Sequence, residues 1–145
     1  MYTLVLAVHS WLRWVALIAG VLATYSVATN KSASRSGLVL LIALDVQLLL
    51  GLLLYFVLSP FTADAMRDFG AAMRNPGLRF FAVEHVTLML AAVALVHAGR
   101  VMARKATSPD TARVRLLMCF GLATLLMFLA IPWPGMASGR PLFRL

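Results

Sequence analysis

Apolar residues fall in four long runs: Leu4 to Ala28, Leu38 to Leu58, Phe80 to Ala98 and Val114 to Ile131. Polar residues gather between the runs and rarely enter them. A helix rises about 1.5 Å per residue, so a run of about 17–25 apolar residues crosses the hydrocarbon of a bilayer. All four runs fall in that range, and none contains proline, so each is expected to stay unbroken. The pattern predicts an all-α fold: a four-helix transmembrane bundle, one domain over residues 1–145, with antiparallel neighbours. The first run is read as a retained helix rather than a signal peptide. His9 and Arg13 lie inside it, and no basic segment precedes it.

The connections sharpen the picture. NKSASRSG (Asn30 to Gly37) is a short polar turn. Ser59 to Arg79 is longer, with Pro60, Gly70 and the turn signal Asn75-Pro76-Gly77, and Ala63 to Arg74 is expected to form a short surface helix. Gly99 to Arg113 is strongly basic, and Ser108-Pro109-Asp110 marks a helix start. The tail from Pro132 holds three prolines and cannot continue a helix.

Composition agrees with a lipid-facing surface. Hydrophobic residues make up 62% of the chain and charged residues 12%, about half the charge of an ordinary soluble domain. The net charge of +8 does not imply nucleic acid, because the basic residues flank apolar runs instead of lining a folded face. Their expected partner is membrane lipid. Lys31, Arg35, Arg100, Arg104, Lys105, Arg113 and Arg115 sit at one end of the runs. Arg67, Arg74, Arg79, Arg140 and Arg144 sit at the other, offset by Asp64 and Asp68. The bias puts both termini on the outer, periplasmic side of a bacterial inner membrane. The single cysteine, Cys119, excludes an internal disulfide and a cysteine-based metal framework.

Ionisable residues inside spans are costly and therefore suspects for function. They are His9, Arg13, Asp45, Glu84, His85 and His97, with Gln47 as a neutral companion. His9 and His85 enter the first and third runs from the same side to similar depth, so two helices can offer one imidazole each to a shared point. That arrangement suits two axial ligands of a haem iron. Arg79, Arg140 or Arg144 could carry its carboxylates, and Trp14 or Phe81 could pack on its face. Arg13 lies deeper and either joins that binding or pairs with Glu84. His97 is twelve residues from His85, about 18 Å along one helix, and cannot reach the same iron. It reads as an interfacial residue beside Arg100, with a second haem shared with Met118 as the lesser alternative. Asp45 should be protonated or paired, with Tyr25, Thr24 and His97 in reach. It is either a clasp between helices or part of a proton-linked quinone site. The step from His9 through Arg13, Ala16 and Gly20 to Thr24 has room for a flat cofactor or a close helix.

HSWLRW (His9 to Trp14), LDVQLLLGLLLYFVLSP (Leu44 to Pro60), RFFAVEHVTLML (Arg79 to Leu90), HAGR (His97 to Arg100) and IPWPGMASGRPLFR (Ile131 to Arg144) cover about half the chain and touch every run. In these stretches the sequence resembles small bacterial four-helix membrane proteins labelled cytochrome b-like. The resemblance implies one family over the full length, with haem on His9 and His85 and, less directly, His97.

The expected function is a membrane b-type haem protein that moves electrons near the outer face, with quinone and other redox membrane subunits as candidate partners and a homo-oligomer as an open form. The alternative is a cofactor-free structural or accessory subunit of a larger complex, whose tail is a docking element. A small proton-linked transporter using Asp45 and His97 ranks last, since four unbroken helices leave little room for alternating access. No catalytic residue is expected.

Overall fold

The computed structural model describes residues 1–143, and these are helical without any strand. Four helices are long and apolar enough to cross a membrane: α1 (Tyr2–Ala28), α2 (Ser34–Leu58), α5 (Pro76–Arg104) and α6 (Pro109–Leu129). Two short helices, α3 (Pro60–Arg67) and α4 (Phe69–Arg74), connect α2 to α5. The single surface helix expected over Ala63 to Arg74 is thus two. Asp68 breaks it and caps the second piece, its carboxylate accepting from the Ala71 amide at 2.8 Å. Ser108 caps α6 in the same way, accepting from Thr111 N–H, with Pro109 in the first turn.

The long helices bury a shared core of small and large side chains: Ala16 and Ala23 of α1, Leu40 and Leu44 of α2, Val96 of α5, Phe120 of α6. Outward they show Ile18, Leu49, Phe56, Val114 and Leu125, each more than half exposed. So much exposed apolar surface on the long helices is the pattern of a face that meets hydrocarbon.

Packing is tightest where side chains are smallest. A Cβ on Gly99 would stand 2.5 Å from the Cβ of Cys119, and one on Gly20 would stand 2.7 Å from Oγ1 of Thr124. Small residues therefore let α5 and α1 approach α6 closely. The small face of α1 below Arg13 takes a neighbouring helix, not a flat cofactor. At the Gly99 end, basic residues close helix termini. Arg113 donates Nε to the Val27 carbonyl at 3.0 Å and Nη2 to the Ala28 carbonyl at 2.9 Å. Arg115 donates to the Met102 carbonyl at 2.7 Å. These carbonyls belong to the last turns of α1 and α5, where the helix itself supplies no donor.

At the other end the helices widen. The last turn of α2 (Leu54–Leu58) and an early turn of α5 (Phe80–Glu84) are π-helical. A π turn carries one extra residue and rotates the side chains that follow it. Tyr55 on the first donates its hydroxyl to the Ala82 carbonyl on the second at 2.8 Å, and Thr62 of α3 donates to the Tyr55 carbonyl at 2.7 Å. The two turns are thereby tied to each other and to the connection.

Candidate functional site

His9 and His85 come together at this widened end. Their ring centres are 6.2 Å apart, with planes inclined by 65°. Each ring is held differently. His85 is the first residue after the π turn of α5. Its Nδ1 lies 2.8 Å from the carbonyl oxygen of Ala130, where α6 ends. A carbonyl only accepts, so Nδ1 carries the proton and Nε2 keeps a free lone pair. His9 has its Nδ1 buried without a hydrogen-bond partner. It is steadied through its backbone instead, Gln47 donating Nε2 to the His9 carbonyl at 3.0 Å. Gly51, one turn beyond Gln47, passes the His9 ring: a Cβ there would lie 3.4 Å from Cε1.

Both imidazoles line a cavity reached by all four long helices, by the α2–α5 connection and by the tail. Its volume is about 150 Å³. The wall is chiefly apolar, with Leu6, Leu48, Val86, Met89 and Val93 among its side chains. Polar side chains are few and specific: Ser10, Arg13, Gln47, Tyr55, Ser59, Thr62 and Arg140 among them, besides the histidines. No carboxylate lines it among the described residues, so its two cations, Arg13 and Arg140, make it electropositive. Gln47 is 3% exposed, and its Oε1 has no hydrogen-bond partner.

The tail packs across this end. Arg13 donates Nη2 to the Leu142 carbonyl, and Trp14 donates Nε1 to the same oxygen at 3.3 Å. Phe143 stacks on Trp14 with ring centres 5.7 Å apart. The Arg140 guanidinium lies 4.6 Å from the ring centre of Phe61 and 5.1 Å from that of Phe81, a cation–π arrangement.

Among the residues singled out from sequence, His9, His85, Arg13, Phe81, Arg140 and Gln47 line the one cavity. The remainder lie elsewhere. Trp14 packs on the tail, not on the cavity. Arg13 and Glu84 do not pair. Glu84 accepts from Nε of Arg79 at 2.7 Å instead, and both are nearly half exposed. The π turn between them accounts for this, since it brings residues five apart onto one side. Arg79 is therefore committed to Glu84 and stays outside the cavity wall. Of the three polar residues expected to be buried, Gln47 is buried, whereas Asp45 and Glu84 are about half exposed. His97 does not stand alone at an interface: its Nε2 lies 2.8 Å from Oδ1 of Asp45. Met118, the thioether considered for His97, points outward at 68% exposure. Arg144 lies outside the described residues. Among those described, no three His, Cys, Asp or Glu side chains gather into a metal-binding group.

Tyr55, Ser59, Thr62 and Gly51 also belong to the cavity wall, and apolar spacing does not single them out. The extra residue in each π turn sets where the side chains near it point, and no hydrophobic pattern announces it.

No family model, no curated protein and no solved structure matches the chain.

Proposed function

We propose that this chain is a membrane b-type haem protein, in keeping with the cytochrome b-like resemblance, with His9 and His85 as the residues that would hold the iron. The observation that carries the reading is the imidazole pair. Their ring centres are 6.2 Å apart, within the distance that two imidazoles could span in holding one metal ion. The protonation pattern of His85 adds support: Nδ1–H to a backbone carbonyl fixes the ring and leaves Nε2 as the ligand atom, the usual outer-shell support of a metal-bound imidazole.

Haem bound there supplies one-electron redox chemistry, with a potential set by its ligands and surroundings. The chain's own residues do the rest. Arg13 and Arg140 give positive charge to a wall whose described residues include no carboxylate, which suits an anionic group on the ligand. Phe81 offers an aromatic surface. Leu6, Leu48, Val86 and Met89 keep water from the imidazoles. His97 is no ligand in this reading, being engaged with Asp45.

The reading extends to the cell. The four long helices are antiparallel neighbours in a bacterial inner membrane, with both termini and the cavity on the periplasmic side and the basic connections in the cytoplasm. The electron partner is quinone or another redox subunit in the same membrane.

A reduced-minus-oxidised visible spectrum of the purified protein tests the proposal. A sharp α-band of b-type haem is expected, lost in both His9→Ala and His85→Ala and kept in His97→Ala. A colourless, folded protein would sink the reading and leave the accessory-subunit alternative. Loss of the band only in His97→Ala would move the ligands elsewhere.

A further inference from the structure

Asp45 and His97 join α2 to α5 away from the cavity, at 2.8 Å between Oδ1 and Nε2. Asp45 lies eight residues beyond Gly37 on α2, about 12 Å along the axis. The seven residues between, LVLLIAL, are all apolar. On α5, His97 lies three residues before Arg100, and the pair does not face the core. The side chains of His97 and Asp45 are 50% and 44% exposed. On the same two helices Ile42, Leu49, Leu90 and Val101 turn apolar surface outward. Nδ1 of His97 and Oδ2 of Asp45 have no hydrogen bond among the described residues.

Hydrocarbon cannot satisfy such groups. Ionisable side chains on spanning helices face a bundle interior, a water-filled cavity or another polar group. Whatever covers this face must bring a donor and an acceptor to that depth. Lipid tails carry neither.

We propose that this face is the contact between two copies of the chain. As an ion pair, His97 and Asp45 leave Nδ1–H as an unused donor and Oδ2 as an unused acceptor, so the patch is its own complement under a two-fold axis. In such an interface residue i meets residue j, and j meets i. Nδ1–H of His97 donates to Asp45 of the partner subunit, and the reciprocal contact forms on the other side of the axis. Two bonds within chains and two between them close a ring. Neither residue belongs to the cavity, so this proposal stands or falls independently of haem.

The test uses the full chain in lipid vesicles, with copies labelled by donor or acceptor fluorophores and energy transfer read at increasing dilution in lipid. The wild type should show transfer that falls on dilution as a dimer dissociates. Asp45→Ala alone and His97→Ala alone should each weaken association by about tenfold, from two lost interhelical hydrogen bonds. An equal mixture of the two variants should recover part of it. In that mixture His97 of one copy can still meet Asp45 of the other, although neither variant has a pair of its own. Recovery of this kind also shows that both variants fold. A monomeric wild type, single variants that associate like it, or a mixture without recovery would each overturn the proposal.

Discussion

Towards Arg104 and Arg113 the long helices pack Gly99 on Cys119, while towards His9 and His85 they are held apart by imidazoles, a buried amide and two π turns. The contrast teaches where room for a ligand comes from. Dispersion between small residues draws helices together without polar help, and that end closes. Larger polar side chains and the extra residue of each π turn prevent this at the other end, and a cavity is left. Buried hydrogen-bonding atoms without partners follow the same division among the described residues. His9 Nδ1 and Gln47 Oε1 are buried without partners at the open end. At the closed end carbonyls in the last turns of α1 and α5 accept from Arg113 and Arg115.

The contrast breaks first at Gly99. Gly99→Val places branched carbons where a single Cβ would already stand 2.5 Å from the Cβ of Cys119, so the helices must part. We expect a loss of about 3 kcal/mol, the upper part of the overpacking range, read as unfolding in denaturing detergent by circular dichroism. A change under about 1 kcal/mol, the lower edge of that range, would mean that the closed end is not closely packed. The open end should respond to Arg13→Met through the tail. Losing a charged hydrogen bond to the Leu142 carbonyl should speed amide exchange at Gly139 and Arg140 about tenfold. The core amides of α6 should be unaffected, and equal acceleration there would point to global loosening instead. The smallest effect is expected for Gln47→Leu. It removes one hydrogen bond to the His9 carbonyl but also an unpartnered buried oxygen. Stability should change by less than about 1 kcal/mol in either direction, and a larger loss in the same unfolding assay would show that Oε1 is engaged.

Much of this can be read from the chain. Spacing of apolar residues locates the four long helices to within a few residues at most of their ends, because membrane-scale hydrophobic runs are a strong signal. Counting helical rise is enough to bring His9 level with His85. Pairing inside the membrane is less legible. Asp45 has three partners in reach by depth, and the rotation of α5 about its axis decides for His97. An ordinary helix keeps Arg79 off the face of Glu84, which leaves Arg13 as the expected partner. Only the π turn makes Arg79 the neighbour of Glu84. The division of the basic residues is readable as an orientation signal, but the capping by Arg113 and Arg115 depends on which helix end lies beside α6. The Leu142 carbonyl carries no sequence signature at all, since any residue has one.

The joining of Leu142 to Arg13 and Trp14 also has a meaning in time. Chains emerge in order, and the wall that the four long helices give the cavity is complete once Pro132 is made. The carbonyl that anchors the tail arrives 10 residues later (142 minus 132), an interval on the order of 0.5 to 2 s at ordinary rates of synthesis. Through that interval the pocket stands without its last wall, so anything too bulky to pass the finished mouth has a period during biosynthesis in which to enter.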